Sequence, residues 1–296
     1  MSYPKKNISS ENKNRTEKGT LYIVPTPIGN LADITQRALK VLSEVDFIAA
    51  EDTRNTGLLL SRYGISKPMI SYFEHNRRER GEIIAQRLAA GKSCALVSDA
   101  GTPAVSDPGE DLVRLCSDKG ISVTALPGAC AAVCALILSA LPTGRFAFEG
   151  FLSVNKNERK ARLKSLINDP RTLIFYEAPH KLKGTLADLL ETLGDRKTAV
   201  CRELTKLNEE VLRTTLSGAI SHFEETPPRG EFVLIVDGFA GEAEKPKNYP
   251  ENPEEHVQVY SAGGMKRMEA IKAAAADRGI SKREMYSMLL EEENRE

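Results

Sequence analysis

The chain lacks an excess of charge of either sign: 41 basic and 41 acidic side chains balance over 296 residues. A global field for nucleic acid is excluded, and any contact with RNA has to use a local patch. No apolar run approaches the ~20 residues of a membrane-spanning helix, and the N-terminus has no apolar core of a signal peptide. The five cysteines (Cys94, Cys116, Cys130, Cys134, Cys201) form no CxxC pair and sit mostly in apolar patterns. That argues for reduced, buried thiols in a cytoplasm rather than disulfides or a zinc site. The four histidines have no metal-ligand spacing, so no metal is expected. No Walker A loop occurs, and no GxGxxG follows the first strand, which argues against ordinary dinucleotide binding. No Ser/His/Asp or Cys/His triad signature can be placed either.

What the sequence has instead is a set of stiff Pro/Gly turns. Cys94-Ala95-Leu96-Val97 reads as a strand, and it enters SDAGTPAVSDPG at residues 98–109. A helical pattern leaves that stretch at Glu110. A βα turn usually takes about 2–6 residues, so this longer one reads as a ligand loop. Gly101 and Gly109 permit positive φ or close backbone approach, while Pro103 and Pro108 remove N–H donors and stiffen the path. Similar turns follow other strands, at 25–31 and at 126–130, and Tyr176-Glu177-Ala178-Pro179 forms a fourth. In open α/β sheets, ligands bind at the carboxyl ends of the strands.

Residues 1–18 carry five basic and two acidic side chains and read as a disordered tail. Residues 19–141 alternate strand and helix, which implies a parallel sheet covered on both faces. Asp33 is expected to cap the first helix. The wholly apolar helix that ends near Leu141 is expected to be buried. In 142–240 strands outnumber helices, and a mixed sheet is expected. Residues 241–258 read as a Pro/Glu/Lys-rich linker. Residues 259–296 read as a helical pair, with Gly279 ending the first helix and a Ser281/Glu284 capping box opening the second. The fold class is therefore α/β: two α/β domains, parallel then mixed, around a cleft, with a small C-terminal helical pair.

LYIVPTPIGNLADIT, AAEDTRNT, ALVSDAGTPAVSDPG, ALPGACAA, FYEAPH and RGEFVLIV together resemble the tetrapyrrole (precorrin-type) methylase superfamily. More closely they resemble its branch that methylates a cytidine 2′-hydroxyl in small-subunit ribosomal RNA. The resemblance covers about 19–240. It implies S-adenosylmethionine as methyl donor, held between the two domains, and a homodimer. It implies ribosomal RNA or the assembled small subunit as partner, near the decoding centre, with no membrane. Carried onto this chain, cofactor contacts fall on Ile28, Asp99, Gly101, Thr102, Pro103, Val105, Cys130, Ala131, Tyr176 and Glu177. The Gly-Asp-Pro of related porphyrin enzymes is here Gly101-Thr102-Pro103, which leaves Asp99 to replace the missing carboxylate. The alternatives are a methylase of a small tetrapyrrole or corrinoid, and a non-catalytic RNA-binding protein that keeps the fold.

Methyl transfer from a sulfonium needs positioning above all, and a ribose hydroxyl reacts better when an acceptor takes its proton. Asp52 and Glu177 lead the candidates for that acceptor, with Asp99 and His75 beside them. Asp52 also suits a helix N-cap. Phosphate contacts are expected from Arg54, Arg77, Arg78, Arg145, Lys156, Arg159, Lys160, Arg162 and Lys164. The last five space along one basic helix. Tyr72 and Phe73 are candidates for stacking on a splayed base.

Overall fold

The computed structural model describes residues 15–241, 249–278 and 280–293. Most of the expected tail (1–14), part of the expected linker (242–248) and Gly279 lie outside them. The chain divides into two compact units at Phe239/Ala240.

The first unit holds two five-stranded sheets. One is built from β1 (Thr20–Ile23), β2 (Phe47–Ala50), β3 (Met69–Ser71), β4 (Cys94–Val97) and β5 (Ser122–Ala125), in the order β3-β2-β4-β1-β5. Every pairing in it is parallel. β1, β2 and β4 are buried at every position, which is why they read as continuous apolar runs. α1 (Gln36–Glu44) and α2 (Thr53–Arg62) pack on one face, through Val41, Leu42 and Leu60. α3 (Arg77–Ala89) and α4 (Glu110–Asp118) pack on the other, through Ile84, Leu88 and Leu112. β1 and β4 are neighbours, yet the chain leaves them toward opposite faces. A crevice opens at such a switch point.

The second sheet has the order β6-β7-β10-β8-β9. Its strands are β6 (Phe146–Phe151), β7 (Thr172–Glu177), β8 (Lys197–Arg202), β9 (Glu210–Thr215) and β10 (Phe232–Val236). β6 runs parallel to β7, whereas β10 runs antiparallel to both β7 and β8. The sheet is mixed, as its strand-rich sequence implied. α6 (Lys156–Ser165), α7 (Leu182–Leu193) and α8 (Leu216–Glu225) cover one face through Leu163, Leu186, Leu189 and Phe223. α5 (Ala131–Leu138) covers the other through Ala132, Ala135 and Leu136. The expectation that this apolar helix is buried all round is corrected: Val133 and Ile137 are 45% and 68% exposed. Only one face of so short a helix meets the sheet.

A local correction concerns the start of α1. Thr35, not Asp33, is its N-cap, its hydroxyl accepting from the Ala38 N–H at 3.0 Å. Asp33 instead ends a short 3-10 turn capped by Asn30.

The second unit contains three described helices rather than the expected pair: α9 (Pro253–Ala262), α10 (Arg267–Asp277) and α11 (Lys282–Glu293). α9 lies largely within the stretch read as linker. Asn252 caps it through the Glu255 N–H at 3.0 Å, and Pro253 occupies the first turn, where its missing N–H costs nothing. Val257, Ile271, Ala274, Met285 and Leu289 form the core of the unit. The Ser281/Glu284 capping box is present: the Ser281 N–H donates to Glu284 at 2.7 Å, and the Glu284 N–H returns to the Ser281 hydroxyl at 3.2 Å.

Candidate active site

Three turns leave the first sheet at its carboxyl edge and are tied to one another. The Thr26 N–H donates to the Gly101 carbonyl at 2.9 Å, and the Gly101 N–H returns to the Thr26 carbonyl at 3.1 Å. The Thr26 hydroxyl donates to the Ser98 carbonyl at 3.3 Å, and that of Thr102 to the Ala129 carbonyl at 2.8 Å. Gly101 sits at φ +79°, and a Cβ there would lie 3.2 Å from Cγ2 of Ile28. A Cβ on Gly128 would strike Pro25 at 2.5 Å. Ala104 and Ser106 also hold positive φ, at 67° and 61°. Each such residue costs about 1–3 kcal/mol, so the surrounding structure over-determines this loop.

The second sheet supplies the facing wall. The end of β7 and the turn after it contribute Tyr176 to Pro179, and the end of β8 and the turn after it contribute Cys201 and Leu204. β10 contributes its first residues, because an antiparallel strand brings its N-terminal end to the edge where its neighbours finish. The register pairs Phe232 with both Glu177 and Arg202.

Between the walls lies a cavity of about 330 Å³. Ile28, Gly101, Thr102, Val105, Cys130, Ala131, Tyr176 and Glu177 line it, so eight of the ten residues expected around a cofactor meet there. Two do not. Pro103 is a buried residue of the loop itself. Asp99 opens into a neighbouring pocket of about 160 Å³. Asp107, Phe151, Leu204, Glu231, Phe232 and Val233 also line the cavity and were not singled out from sequence. The β10 residues carried a motif, RGEFVLIV, but no rule pointed to the start of a strand. Asp107 carried no signal beyond an ordinary Asp-Pro-Gly turn.

Tyr176 fixes the junction of the two walls. Its hydroxyl accepts from the Ala132 N–H in the first turn of α5 at 3.2 Å. Its ring meets Phe148 and Phe151 edge-on, at 5.0 and 5.5 Å. Burial pushes its hydroxyl up to about 12, so the phenol stays neutral. Glu177 is 4% exposed, and both its oxygens are engaged, with the Thr185 hydroxyl at 2.5 Å and the Ala178 N–H at 2.8 Å. It braces the turn.

The carboxylates near the cavity differ in character. Asp52 does not line it. It caps α2 through the Arg54 N–H and also binds the Arg54 guanidinium, at 2.8 Å each. Those bonds hold its carboxyl down at about 2, which makes it a poor proton acceptor. Asp107 lines the cavity, and burial together with the charge of Asp99 pushes its carboxyl above the usual range, against a hydrogen bond with Ser98. Burial also raises Glu51, aided by the charges of Asp107, Asp99 and Asp52. His75 is exposed, lies edge-on to Phe73 at 6.2 Å, and is not part of the cavity lining.

The basic residues separate into bound and available groups. Arg159 is a structural residue: it binds Asp188 at 2.6 Å and the Ser153 carbonyl at 3.1 Å, and is only 22% exposed. The expectation that it faces a phosphate is thereby corrected, since α6 turns it toward α7. Arg162 binds Glu149 at 2.6 Å, Lys160 binds Glu191 at 3.7 Å, and Arg77 binds Glu74 at 3.1 Å and Asp111 at 3.5 Å. Arg54 is 88% exposed beside Asp52. Among the described residues, Arg78, Arg145, Lys156 and Lys164 are exposed and pair with no carboxylate. Tyr72 is corrected as a stacking candidate: it is 1% exposed, and its hydroxyl donates to Asp111 at 2.8 Å. Phe73 is 37% exposed.

The sequence profile of the Tetrapyrrole (Corrin/Porphyrin) Methylases matches residues 20–220. The chain is 49% identical to ribosomal RNA small subunit methyltransferase I of Halalkalibacterium halodurans, over 94% of this chain and 97% of that protein. It is 47% identical to the protein of the same name from Synechocystis, over 92% and 98%. Among solved structures it is similar to uroporphyrin-III C-methyl transferase from Thermus thermophilus complexed with S-adenyl homocysteine. That likeness has a TM-score of 0.52 and 18% identity, covers 74% of this chain and 97% of the other, and speaks to the fold. The two sheets, the tied turns and the near-full-length relatives agree: the chain belongs to the tetrapyrrole methylase family, and within it to the ribosomal RNA small subunit methyltransferases I.

Proposed function

We propose that this chain transfers a methyl group from S-adenosylmethionine to small-subunit ribosomal RNA, at the 2′-hydroxyl of a cytidine near the decoding centre. The observation that carries it is 49% identity, over 94% of the chain, to a relative named for that RNA. In this reading 19–141 and 142–240 are two domains that close on the cofactor.

The cavity fits that cofactor. Its volume of about 330 Å³ falls within the ~300–1,000 Å³ of small-molecule sites. Ile28, Leu204, Phe232 and Val233 offer apolar walls, and 101–105 offer main-chain groups held in one geometry. The bare Cα of Gly101 keeps space that a side chain would fill. S-adenosylmethionine, when bound, supplies an activated methyl and its own leaving group. What remains for the protein is to orient the ribose, exclude water and take a proton. Glu177 braces the turn after β7, and Phe151 and Tyr176 add aromatic rings to the cavity lining. Asp107 replaces Asp52 as proton acceptor, since it lines the cavity and titrates above its ordinary value.

A homodimer and a cytoplasmic location belong to the same proposal. The uncovered Val133 and Ile137 on α5 support the former. Incubation with methyl-labelled cofactor and either isolated small subunits or uroporphyrin tests the activity. Label in the RNA alone is expected, and label in the porphyrin alone would reverse the assignment.

A further inference from the structure

The two turns that wall the cofactor cavity have another side. Ile28 and Gly101 line the cavity, whereas their close neighbours Gly29 and Asp99 line the pocket of about 160 Å³. The two spaces thus share a wall only a residue or two thick. The pocket is smaller than the ~300 Å³ of a whole small-molecule site, and its size suits one ring. Pro27, Leu31 and Leu59 give it apolar sides, and Asn55, Ser98 and Asp99 give it a polar edge. The Tyr63 hydroxyl pins its rim by donating to the Leu31 carbonyl at 2.6 Å. Asn55 Nδ2 donates to Oδ2 of Asp99 at 3.1 Å. Oδ1 of Asp99 makes no hydrogen bond among the described residues.

We infer that this pocket receives the base of the acceptor nucleotide, with Oδ1 of Asp99 accepting from the exocyclic amine of cytosine. The inference rests on the RNA-methylation reading above. Bases splayed from single-stranded RNA are read by hydrogen bonds to their edges, and here Pro27, Leu31 and Leu59 give the base apolar contact in place of an aromatic ring. An ionised carboxylate only accepts, so it pairs with the amine of cytosine and opposes the carbonyl of uracil at the same position. The pocket therefore selects cytosine partly by leaving uracil unpaired. Asp99 then serves the substrate, not the cofactor.

The test uses the full-length protein, wild type and Asp99→Asn, with small subunits carrying cytidine or uridine at the acceptor position. Binding of S-adenosylmethionine is measured in parallel by calorimetry. The wild type is expected to favour cytidine by about 10–100-fold, the size of one good base contact. Asp99→Asn is expected to lose most of that preference while binding the cofactor within about twofold of wild type. An unchanged preference for cytidine would overturn the inference. So would a large loss of cofactor affinity, which would return Asp99 to the cofactor cavity. If the wild type methylates neither subunit, the functional reading itself fails, a distinct result.

Discussion

Gly101 shows how much a single position decides. Its φ of +79° and the 3.2 Å gap to Ile28 leave no room for a β-branched side chain. Gly101→Val is expected to cost about 1–3 kcal/mol of stability from the backbone alone. It should also abolish cofactor binding by calorimetry, and unchanged affinity would remove the central loop from the site. Asp107→Asn is expected to lower the transfer rate by about 10²–10⁴-fold, the usual worth of a positioned acid or base. Cofactor affinity should persist, and the acid limb of the pH–rate profile should disappear. Glu51 makes a stability prediction. Burial raises its carboxyl above the ordinary 4.5, so the folded state holds the proton more tightly than the unfolded chain does. Its contribution is therefore fully present below 4.5 and is lost as pH rises through the folded value. Glu51→Gln should raise the melting temperature at neutral pH. That gain should vanish below the ordinary value. An equal gain at both pH values would contradict the assignment.

At the scale of elements, α6 separates packing charge from surface charge. Arg159 and Asp188 are 22% and 17% exposed and hold α6 to α7. Breaking a fully buried pair costs about 3–5 kcal/mol, so Arg159→Glu is expected to cost somewhat less, about 2 kcal/mol, in a denaturant melt. Lys156→Glu with Lys164→Glu is expected to leave the melt unchanged. It should weaken RNA binding and flatten its salt dependence by about 0.7–0.9 for each phosphate no longer neutralised. An unchanged salt slope would place α6 away from RNA. The sequence could not separate these cations, because spacing along a helix shows a shared face but not what packs on it. Turn chemistry was more legible. The loops at 25–31, 98–109 and 126–130 follow parallel strands, so their shared edge could be read from strand order alone. Phe232 and Val233 escaped because β10 is antiparallel and offers its beginning. α9 escaped because its Pro and Glu content, read as a linker, is also what a capped first turn contains.

At the scale of the molecule, the first unit works through two sheets that each leave one edge of turns at a common cavity. Sheet class, parallel then mixed, was legible from the rhythm of strands and helices. The separation of the two neighbouring pockets to which the proposal assigns cofactor and base was not. It depends on Ile28 and Gly29, and on Asp99 and Gly101, lining different spaces within one stretch of chain. In the sequence Asp52 stands between two roles for a related reason: cap and catalytic carboxylate have the same sequence signature, and its bonds to Arg54 show the cap.

The most direct measurement is mass mapping of small-subunit RNA after incubation with this protein and S-adenosylmethionine. One added methyl on the ribose of a single cytidine is predicted, absent when Gly101→Val replaces the wild type. A methyl on a base, or no methyl on RNA under conditions where the cofactor binds, would contradict it.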